Sequence, residues 1–341
     1  MGKQRDTVEL VRDTGEFDLI DRLRDALPGQ VREGAAIRLG IGDDAAVFDV
    51  PAGESLVVTT DAMVEGRHFR FDWTDWEQLG HKLLAVNLSD LAAMGATPRV
   101  ATVTLGLTGN EPVDGLVAMY RGLGNLAKWA NIAIAGGDVV RSEQGMFCDL
   151  TAVGSGAADS LIRRAGAGLG NLVVVSGYLG AAAAGLELLQ GNNREARSAG
   201  VLIEALLRPV PRLHLGLQLA AAGVTSGMDL SDGLYGDLVK LLRRSGVAAE
   251  IEMEKVPVAA AVRALFPDRW FELATRGGED YELLLTIPPD RLDDLCRAGE
   301  DTGSTITVIG RIIEGEPGTI VEVDDGGNRH PVKPGAFDHF A

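Results

Sequence analysis

The sequence predicts a protein of mixed α/β (α+β) class with two domains. Its 341 residues exceed what one hydrophobic core usually supports. Short apolar runs rich in Val, Ile and Thr alternate with longer segments of helical period, which indicates alternating strands and helices. Residues 154–170 are rich in Gly, Ala and Ser and carry little periodicity, and the alternation resumes at Leu172. We therefore expect a first domain over residues 1–155 and a second over 156–341.

Each domain contains its own series of predicted elements. In the first domain, β-favouring runs predict strands over residues 56–60, 100–107, 132–135 and 147–153. Apolar residues at helical spacing predict helices over residues 76–94 and 113–130. In the second domain, the same criteria predict strands over residues 172–176, 248–252, 281–287, 305–312 and 319–323, and helices over 180–190, 201–207, 212–222, 234–245 and 289–298.

The charge balance restricts the class of partner. The chain has 49 acidic and 32 basic residues, for a formal net charge of −17. Nucleic acid is bound through Lys and Arg that neutralise phosphates, and anionic membrane surfaces attract the same residues. We therefore expect neither nucleic acid nor a membrane as partner, and an anionic ligand would need metal ions as intermediaries.

No targeting or membrane-spanning segment is predicted. The N-terminal segment is charged and then amphipathic, without the apolar centre of a signal peptide. The most apolar stretch, residues 172–189, is interrupted by Gly, Ser and Glu and indicates a strand, a turn and a helix. Cys148 and Cys296 have no spacing suited to zinc, which indicates structural residues in a reducing compartment. We expect a cytoplasmic protein.

Six short acidic motifs are the chemical signature of the chain. They are GIGDDAA (40–46), TTDAMVEGRHF (59–69), NLSDLAAMGA (87–96), AGGD (135–138), MDLSDGL (228–234) and GGEDYEL (277–283). Mg²⁺ prefers oxygen ligands, and a few carboxylates usually hold it while phosphate oxygens complete its shell. We predict that carboxylates of these motifs bind Mg²⁺ on a polyphosphate, namely Asp44, Asp61, Asp90, Asp138, Asp229 and Asp232, assisted by hydroxyl or carbonyl oxygens of Thr59 and Thr60.

The same motifs contain further candidates for ligand binding. The imidazole of His68 is suited to a hydrogen bond with a substrate phosphate or pyrimidine. Gly137 has no Cβ, so its backbone can approach a phosphate closely. A helix predicted to begin near Gly233 offers backbone N–H groups to an anion beside Ser231. Glu279 is a candidate for contact with a polar group of the substrate.

Taken singly, each motif also has an ordinary structural explanation. The alternatives are a solvated Asp-rich turn, an Asp that ends a strand, a charge on an exposed helix face and an N-cap. The sequence contains no GxxxxGK[ST] phosphate loop, no GxGxxG dinucleotide fingerprint in the required setting and no GxSxG elbow. ATP, if it is used, must therefore be bound by a different scheme.

In their order and spacing, the motifs resemble those of the thiamine-monophosphate kinase family, within the aminoimidazole ribonucleotide synthetase-like superfamily. NLSDLAAMGA, MDLSDGL and GGEDYEL are the most specific, and the resemblance extends from about Gly15 to Phe340. It implies an N-terminal domain that binds ATP and Mg²⁺ and whose four-stranded sheet pairs with that of a partner subunit into a barrel. It also implies a C-terminal α/β domain, a homodimer, and several Mg²⁺ ions beside ATP.

The resemblance also implies roles for individual residues. ATP contacts fall on Tyr120, Gly137, Asp138, Arg164 and Ser231. Substrate contacts fall on His68, Glu279 and Phe337. The metal contacts fall on the Asp and Thr residues named above. The C-terminal KPGAFDHF departs from the family pattern, because Ala336 precedes Phe337 in place of a more usual polar or aromatic residue.

The implied reaction is ATP-dependent phosphorylation of thiamine monophosphate to thiamine diphosphate, the final step of thiamine diphosphate biosynthesis. We expect direct in-line transfer without a general base, because the acceptor phosphate is already largely ionised near pH 7. One alternative is another ATP-dependent synthetase of the superfamily, although the chain lacks the reactive cysteines expected for selenophosphate synthesis and for the carbamoyl dehydratase. The other is a non-catalytic protein that binds divalent cations or nucleotides, although its acids would then be expected in one dense loop.

Overall fold

The computed structural model describes residues 8–34, 36–42, 44–195 and 197–332. The chain divides into two compact units. Unit 1 contains the chain up to Asn87 together with Pro98–Ser155, and unit 2 contains Leu88–Thr97 together with the chain from Gly156 onward. Both units combine helices with a sheet, so the predicted mixed α/β class is confirmed.

Unit 1 is built on a four-stranded sheet. Its helices are α1 (Glu16–Ala26), α2 (Gly29–Arg32), α3 (Trp76–Ala93), of which the last turns belong to unit 2, and α4 (Val113–Ala130). Its strands are β1 (Ile37–Leu39), β2 (Val47–Phe48), β3 (Glu54–Val64), β4 (Thr97–Leu107), β5 (Ala133–Arg141) and β6 (Phe147–Ala157). The spatial order in the sheet is β3-β6-β4-β5, with β4 and β5 parallel and connected through α4, while β1 and β2 pair separately.

The two faces of this sheet differ in burial. Side chains alternate between the faces of a strand; Val103 on β4 and Leu150 on β6 are buried, and α4 packs against β5. On the other face the edge strand β3 leaves Leu56 and Val58 exposed, at 52% and 62% of their surface. Within the described part of unit 1, an apolar strip therefore remains on an open edge of the sheet.

Unit 2 is built on a seven-stranded sheet in the order β13-β12-β9-β11-β7-β10-β8. Its strands are β7 (Leu172–Ser176), β8 (Ser226–Asp229), β9 (Ala248–Glu252), β10 (Leu283–Ile287), β11 (Ile306–Ile313), β12 (Ile320–Val323) and β13 (Arg329–Pro331). Its helices are α5 (Ala181–Gln190), α6 (Ala199–Leu207), α7 (Leu213–Ala221), α8 (Leu234–Ser245), α9 (Ala260–Leu265), α10 (Trp270–Arg276) and α11 (Leu292–Thr302).

Helices cover both faces of the unit 2 sheet. Val173 and Val175 of β7 belong to a core that also contains residues of α5 and α8. Val174, which points to the opposite face, belongs to a second core with residues of α7 and α11. β7 is buried on both sides, which explains its uninterrupted apolar sequence.

The predicted bounds of helices and strands agree best with the observed ones where the apolar residues follow a strong local pattern. The bounds of α4, α8, β7 and β9 are those predicted, whereas β3 and β5 run several residues further than predicted. The short elements β8, α9 and α10 were not predicted, because segments of four to seven residues carry too little periodicity. Among the described residues, no helix is both long and apolar enough to span a bilayer.

Candidate active site

The TTDAMVEGRHF motif lies on and after β3. Asp61 was predicted at the end of a strand, but β3 continues to Val64, so Asp61 lies within it and is partly exposed. The hydroxyl of Thr60 donates to the carboxylate of Asp149 on β6, at 3.0 Å. Because successive side chains alternate, Thr60 points to the face opposite Asp61. Of the two kinds of oxygen predicted to assist a cation at Asp61, this geometry favours the carbonyl of Thr60 over its hydroxyl.

His68 lies in the turn that follows β3. The backbone N–H of Val64 donates to Nδ1 of His68 at 3.1 Å, and the backbone N–H of His68 donates to the carbonyl of Val64 at 2.9 Å. The neutral imidazole therefore carries its proton on Nε2. The ring is held against the end of the strand, and its contact with substrate stays a prediction.

The AGGD motif lies within β5, whereas the strand predicted over residues 132–135 ended at the first residue of the motif. β5 extends to Arg141, and its register with β4 shifts near Thr102. A Cβ on Gly137 would lie 2.0 Å from the carbonyl oxygen of Val103, so close approach of the two backbones requires glycine here. The side chain of Asp138 is exposed and accepts the backbone N–H of Val139 at 2.9 Å.

Two of the motifs meet within unit 2, although they are far apart in the sequence. Asp229 ends β8 and is buried, and its Oδ2 accepts the hydroxyl hydrogen of Ser89 at 2.8 Å. Ser89 is fully buried in the last part of α3, and the next residue, Asp90, is partly exposed. NLSDLAAMGA and MDLSDGL are therefore brought into contact, and Ser89 is a member of this group that the sequence analysis did not identify.

A third motif joins the same group through its backbone. The N–H of Glu279 donates to the carbonyl of Ser231 at 2.8 Å, and the N–H of Tyr281 donates to the carbonyl of Leu230 at 2.9 Å. A Cβ on Gly278 would lie 2.5 Å from the carbonyl oxygen of Ser231, so glycine permits this approach. Glu279 and Tyr281 both have positive φ, 68° and 50°, which is unfavourable for side chains of their size. A residue predicted to bind ATP and one predicted to bind substrate thus lie on paired backbones.

Buried charges support this pairing. Glu282 is buried and accepts two hydrogen bonds from Arg212, from Nε at 2.8 Å and from a terminal nitrogen at 2.5 Å. The hydroxyl of Ser176 donates to the same carboxylate, and the backbone carbonyl of Glu282 accepts the N–H of Leu230 at 2.8 Å. Neither Glu282 nor Arg212 was predicted, although a Glu inside the apolar run YELLLTI indicates a buried charge with a partner.

Asp232 is paired with a lysine. The ammonium of Lys240 on α8 contacts the carboxylates of Asp232 and of Asp237, the latter at 2.7 Å. The backbone N–H of Asp232 donates to the other oxygen of Asp237 at 2.9 Å. Burial lowers the pKa of Lys240, but the two carboxylates outweigh burial and raise it above its usual value. For Asp237 burial is the largest effect, and it raises the pKa of the carboxyl group. If Asp232 binds a metal ion, the ammonium of Lys240 must therefore be considered as well, because it already contacts the same carboxylate.

Asp280 binds the N-terminus of α5. Its carboxylate accepts the backbone N–H groups of Gly180 at 2.8 Å and of Ala182 at 3.4 Å. The residue as a whole keeps partial solvent access, but its carboxylate points inward, and burial raises its pKa to about 7 although the two N–H groups oppose the shift. The ionisation of Asp280 is therefore linked to folding.

The raised pKa of Asp280 predicts a pH-dependent stability. A carboxyl whose pKa is higher in the folded protein stabilises it below the ordinary pKa near 3.8, and this contribution is lost as the pH rises through about 7. Asp280→Asn keeps an oxygen for the N–H groups of α5 but cannot ionise. Between pH 5 and 7.5 the free energy of unfolding of the unsubstituted protein should fall relative to the variant by up to about 2 kcal/mol. Urea unfolding of both proteins measures this, and a difference that stays constant with pH would contradict it.

The remaining predicted residues lie apart from these contacts or outside the described chain. Tyr120 is buried in α4, and burial raises the pKa of its hydroxyl, so its position gives no support to a contact with nucleotide. Arg164 is exposed, and its carbonyl accepts the hydroxyl of Ser245 at 3.2 Å. Asp44 is exposed in the bend between β1 and β2. Phe337 lies outside the described residues. The predicted roles of these residues stay predictions.

The predicted metal ligands are not gathered within either unit. Unit 1 contains Asp44, Asp61 and Asp138, and unit 2 contains Asp90, Asp229 and Asp232. Among the described residues of each unit, no three His, Cys, Asp or Glu side chains are placed to share a metal ion. The predicted donors are carboxylate oxygens together with threonine carbonyl or hydroxyl oxygens, which suit a hard cation such as Mg²⁺. Their chemistry fits the predicted ion, and their joint use stays a prediction.

Comparison with known proteins defines the class of this chain. Residues 42–155 match the family model of the AIR synthase related protein, N-terminal domain, and residues 168–322 match that of the AIR synthase related protein, C-terminal domain. The chain therefore belongs to the AIR synthase-related proteins. Together the two matches span most of its length.

Within that class, the chain belongs to the thiamine-monophosphate kinase family. It is 37% identical over 302 residues to thiamine-monophosphate kinase from Haemophilus influenzae, covering 88% of this chain and 90% of the relative. The crystal structure of thiamine-monophosphate kinase from Stenotrophomonas maltophilia has 40% identity and a TM-score of 0.81, covering 92% and 97% of the two chains. AaThiL complexed with AMPPCP and TMP has 32% identity and a TM-score of 0.75, covering 98% and 100%. The family expected from the motifs is confirmed.

Proposed function

We propose that this protein is an enzyme that transfers the γ-phosphoryl group of ATP to thiamine monophosphate and forms thiamine diphosphate. The observation that supports this most directly is the convergence of NLSDLAAMGA, MDLSDGL and GGEDYEL in unit 2, through Ser89–Asp229 and the Ser231–Glu279 backbone pair. Relatives named thiamine-monophosphate kinase, and a relative complexed with AMPPCP and TMP, support the same pair of substrates.

The chemistry asked of the protein is positioning and neutralisation of charge. An acceptor phosphate is already largely ionised near pH 7, so no side chain is assigned as general base. When bound, Mg²⁺ offsets the charge of the phosphate oxygens, and its proposed ligands are Asp44, Thr59, Thr60, Asp61, Asp90, Asp138, Asp229 and Asp232. The N-terminus of α8 lies directly after Ser231 and Asp232 and offers N–H groups to an anion. Buried contacts such as Ser89–Asp229 keep the carboxylates in place during transfer.

ADP formation on a panel of acceptors tests the proposed reaction. The acceptors are thiamine monophosphate, thiamine and aminoimidazole precursors, each assayed with ATP in the presence and absence of Mg²⁺. We expect ADP release with thiamine monophosphate and Mg²⁺ only. Release with an aminoimidazole precursor would favour another synthetase of the superfamily, and binding of ATP without any turnover would favour a non-catalytic protein.

We propose a homodimer in which residues 1–155 bind ATP and Mg²⁺ and form the interface, while residues 156–341 form the second domain. Asp61 lies on β3 and Asp138 on β5, the two opposite edges of one sheet. Three strand spacings separate these edges, about 14 Å along the sheet. Mg²⁺ ligands lie about 2 Å from the ion, so the two acids of one protomer are too far apart to share it. Joining the β3 edge of one protomer to the β5 edge of its partner would bring such acids together.

The exposed apolar strip on β3 provides the test of this interface. Val58→Glu places a charge on that strip and should convert a dimer to a monomer with little activity, because burying an unpaired carboxylate is costly. Val201→Glu, on α6 and 70% exposed, is the matched control and should leave the dimer intact. Light scattering on both variants measures the mass, and a Val58→Glu protein that remains dimeric would contradict the interface.

We also propose a cytoplasmic location. Both cysteines are free, Cys148 in the interior and Cys296 partly exposed, which suits a reducing compartment.

The proposed partners are small anionic substrates bound with Mg²⁺. The net charge of −17 supports these partners over nucleic acid or a membrane surface.

A further inference from the structure

The ammonium of Lys240 lies against the carboxylate of Asp232, where a metal ion bound by that carboxylate would be expected. Lys240 lies two turns into α8, and its ammonium is hydrogen-bonded to the carboxylates of both Asp232 and Asp237. The side chain of Asp237 is fully buried, whereas about a third of the side-chain surface of Asp232 and of Lys240 is exposed. Asp232 is therefore the carboxylate of the trio that a soluble ligand can reach, beside an ammonium that is exposed to a similar extent.

The two carboxylates have different roles in this trio. Asp237 accepts the backbone N–H of Asp232 at 2.9 Å with one oxygen and the Lys240 ammonium with the other, so both of its oxygens are used inside the protein. Asp232 binds the ammonium through Oδ2. A divalent cation that uses this oxygen must compete with the ammonium for it. Two carboxylates and one ammonium leave a net charge of −1, where two carboxylates alone would leave −2.

We propose that Lys240 is an internal competitor of divalent cations at Asp232, and that it weakens metal binding there until a polyphosphate is present. Displacement leaves the ammonium with Asp237 as its partner, and an anionic ligand bound beside Asp232 compensates the lost ion pair. Metal binding and nucleotide binding are thereby coupled through one side chain. Because it assigns Asp232 to metal binding, this role of Lys240 rests on the proposed function.

Mn²⁺ binding measured by electron paramagnetic resonance tests this role without any turnover. In the absence of nucleotide, Lys240→Met should bind Mn²⁺ about two- to fivefold more tightly than the unsubstituted protein, the range expected for loss of a partly exposed ion pair. Lys240→Arg keeps the cation and should bind Mn²⁺ as the unsubstituted protein does. Adding AMPPCP should strengthen Mn²⁺ binding less in Lys240→Met than in the unsubstituted protein.

Two further variants separate the possible outcomes. The double variant Lys240→Met with Asp237→Asn removes the buried carboxylate of Asp237 together with the ammonium that pairs with it. Its Mn²⁺ affinity can therefore be compared with that of the unsubstituted protein even if Lys240→Met alone does not fold. If Asp232→Asn loses Mn²⁺ but removal of Lys240 leaves Mn²⁺ affinity unchanged or weaker, the competitor role is wrong and Asp232 remains a metal ligand. If Asp232→Asn binds Mn²⁺ normally, the metal assignment of the proposed function is wrong at this residue.

Discussion

Asp90→Asn should lower kcat by at least about a hundredfold while leaving the free energy of unfolding nearly unchanged. Asp90 is partly exposed on α3, next to Ser89, which is hydrogen-bonded to the buried Asp229. Asparagine has nearly the same shape as aspartate, so the packing of the helix is kept while one negative charge is lost. Asp90 is a proposed ligand of the Mg²⁺ that offsets the charge of the phosphate oxygens, and removing one electrostatic contribution to a charged transition state typically costs a factor of 10² to 10³.

The measurement is steady-state turnover at several Mg²⁺ concentrations. If Asp90 is a metal ligand, as proposed, its loss should raise the Mg²⁺ concentration needed for half-maximal activity as well as lower kcat. Asp293→Asn is the matched control, because Asp293 is an exposed acid near the start of α11 in the same unit. Near-normal turnover of Asp90→Asn, or an equal loss in Asp293→Asn, would contradict the assignment.

Arg212→Met should lower the free energy of unfolding by about 3–5 kcal/mol, because it leaves a buried carboxylate without its cation. The side chain of Glu282 is 4% exposed, and Arg212 is its bidentate partner. Burial of an uncompensated charge is far costlier than loss of a surface pair. The backbone of Glu282 also binds Leu230, so the same variant should lower activity by displacing Ser231 and Glu279.

Urea unfolding of a small set of variants measures this effect. Arg212→Met combined with Glu282→Gln removes both charges and should recover much of the loss. Arg297→Met removes a largely exposed arginine from α11 and should change the free energy of unfolding by less than about 0.5 kcal/mol. An Arg212→Met protein as stable as Arg297→Met would show that the Glu282 pair contributes little.

The predictable part of the fold is the part with a strong local period. α4 and α8 have the predicted bounds because their apolar residues recur at helical spacing over many turns. β3 was predicted too short, because Asp61 appeared to end the apolar run, whereas an edge strand with one open face tolerates polar residues. β8 was missed because a four-residue segment containing Gly and Asp resembles a turn.

The sequence predicted which types of residue belong to the candidate site, but it predicted only some of the contacts between them. Acids beside glycine and serine predicted Asp229 and Glu279 as candidates, but they could not predict the contact of Asp229 with Ser89, which joins residues 140 positions apart. Strand alternation would have separated Thr60 from Asp61 if the full length of β3 had been predicted. The partner of Glu282 depends on where α7 begins relative to β10, which tertiary packing decides.

Quantitative phosphorus NMR of the complete reaction tests the proposed activity most directly. The protein is incubated with ATP, Mg²⁺ and thiamine monophosphate, and the phosphorus signals of ADP, inorganic phosphate and thiamine diphosphate are followed together. We predict that ADP and thiamine diphosphate form in equal amounts, with no matching release of inorganic phosphate. Formation of ADP with inorganic phosphate and without thiamine diphosphate would contradict direct transfer between the two substrates.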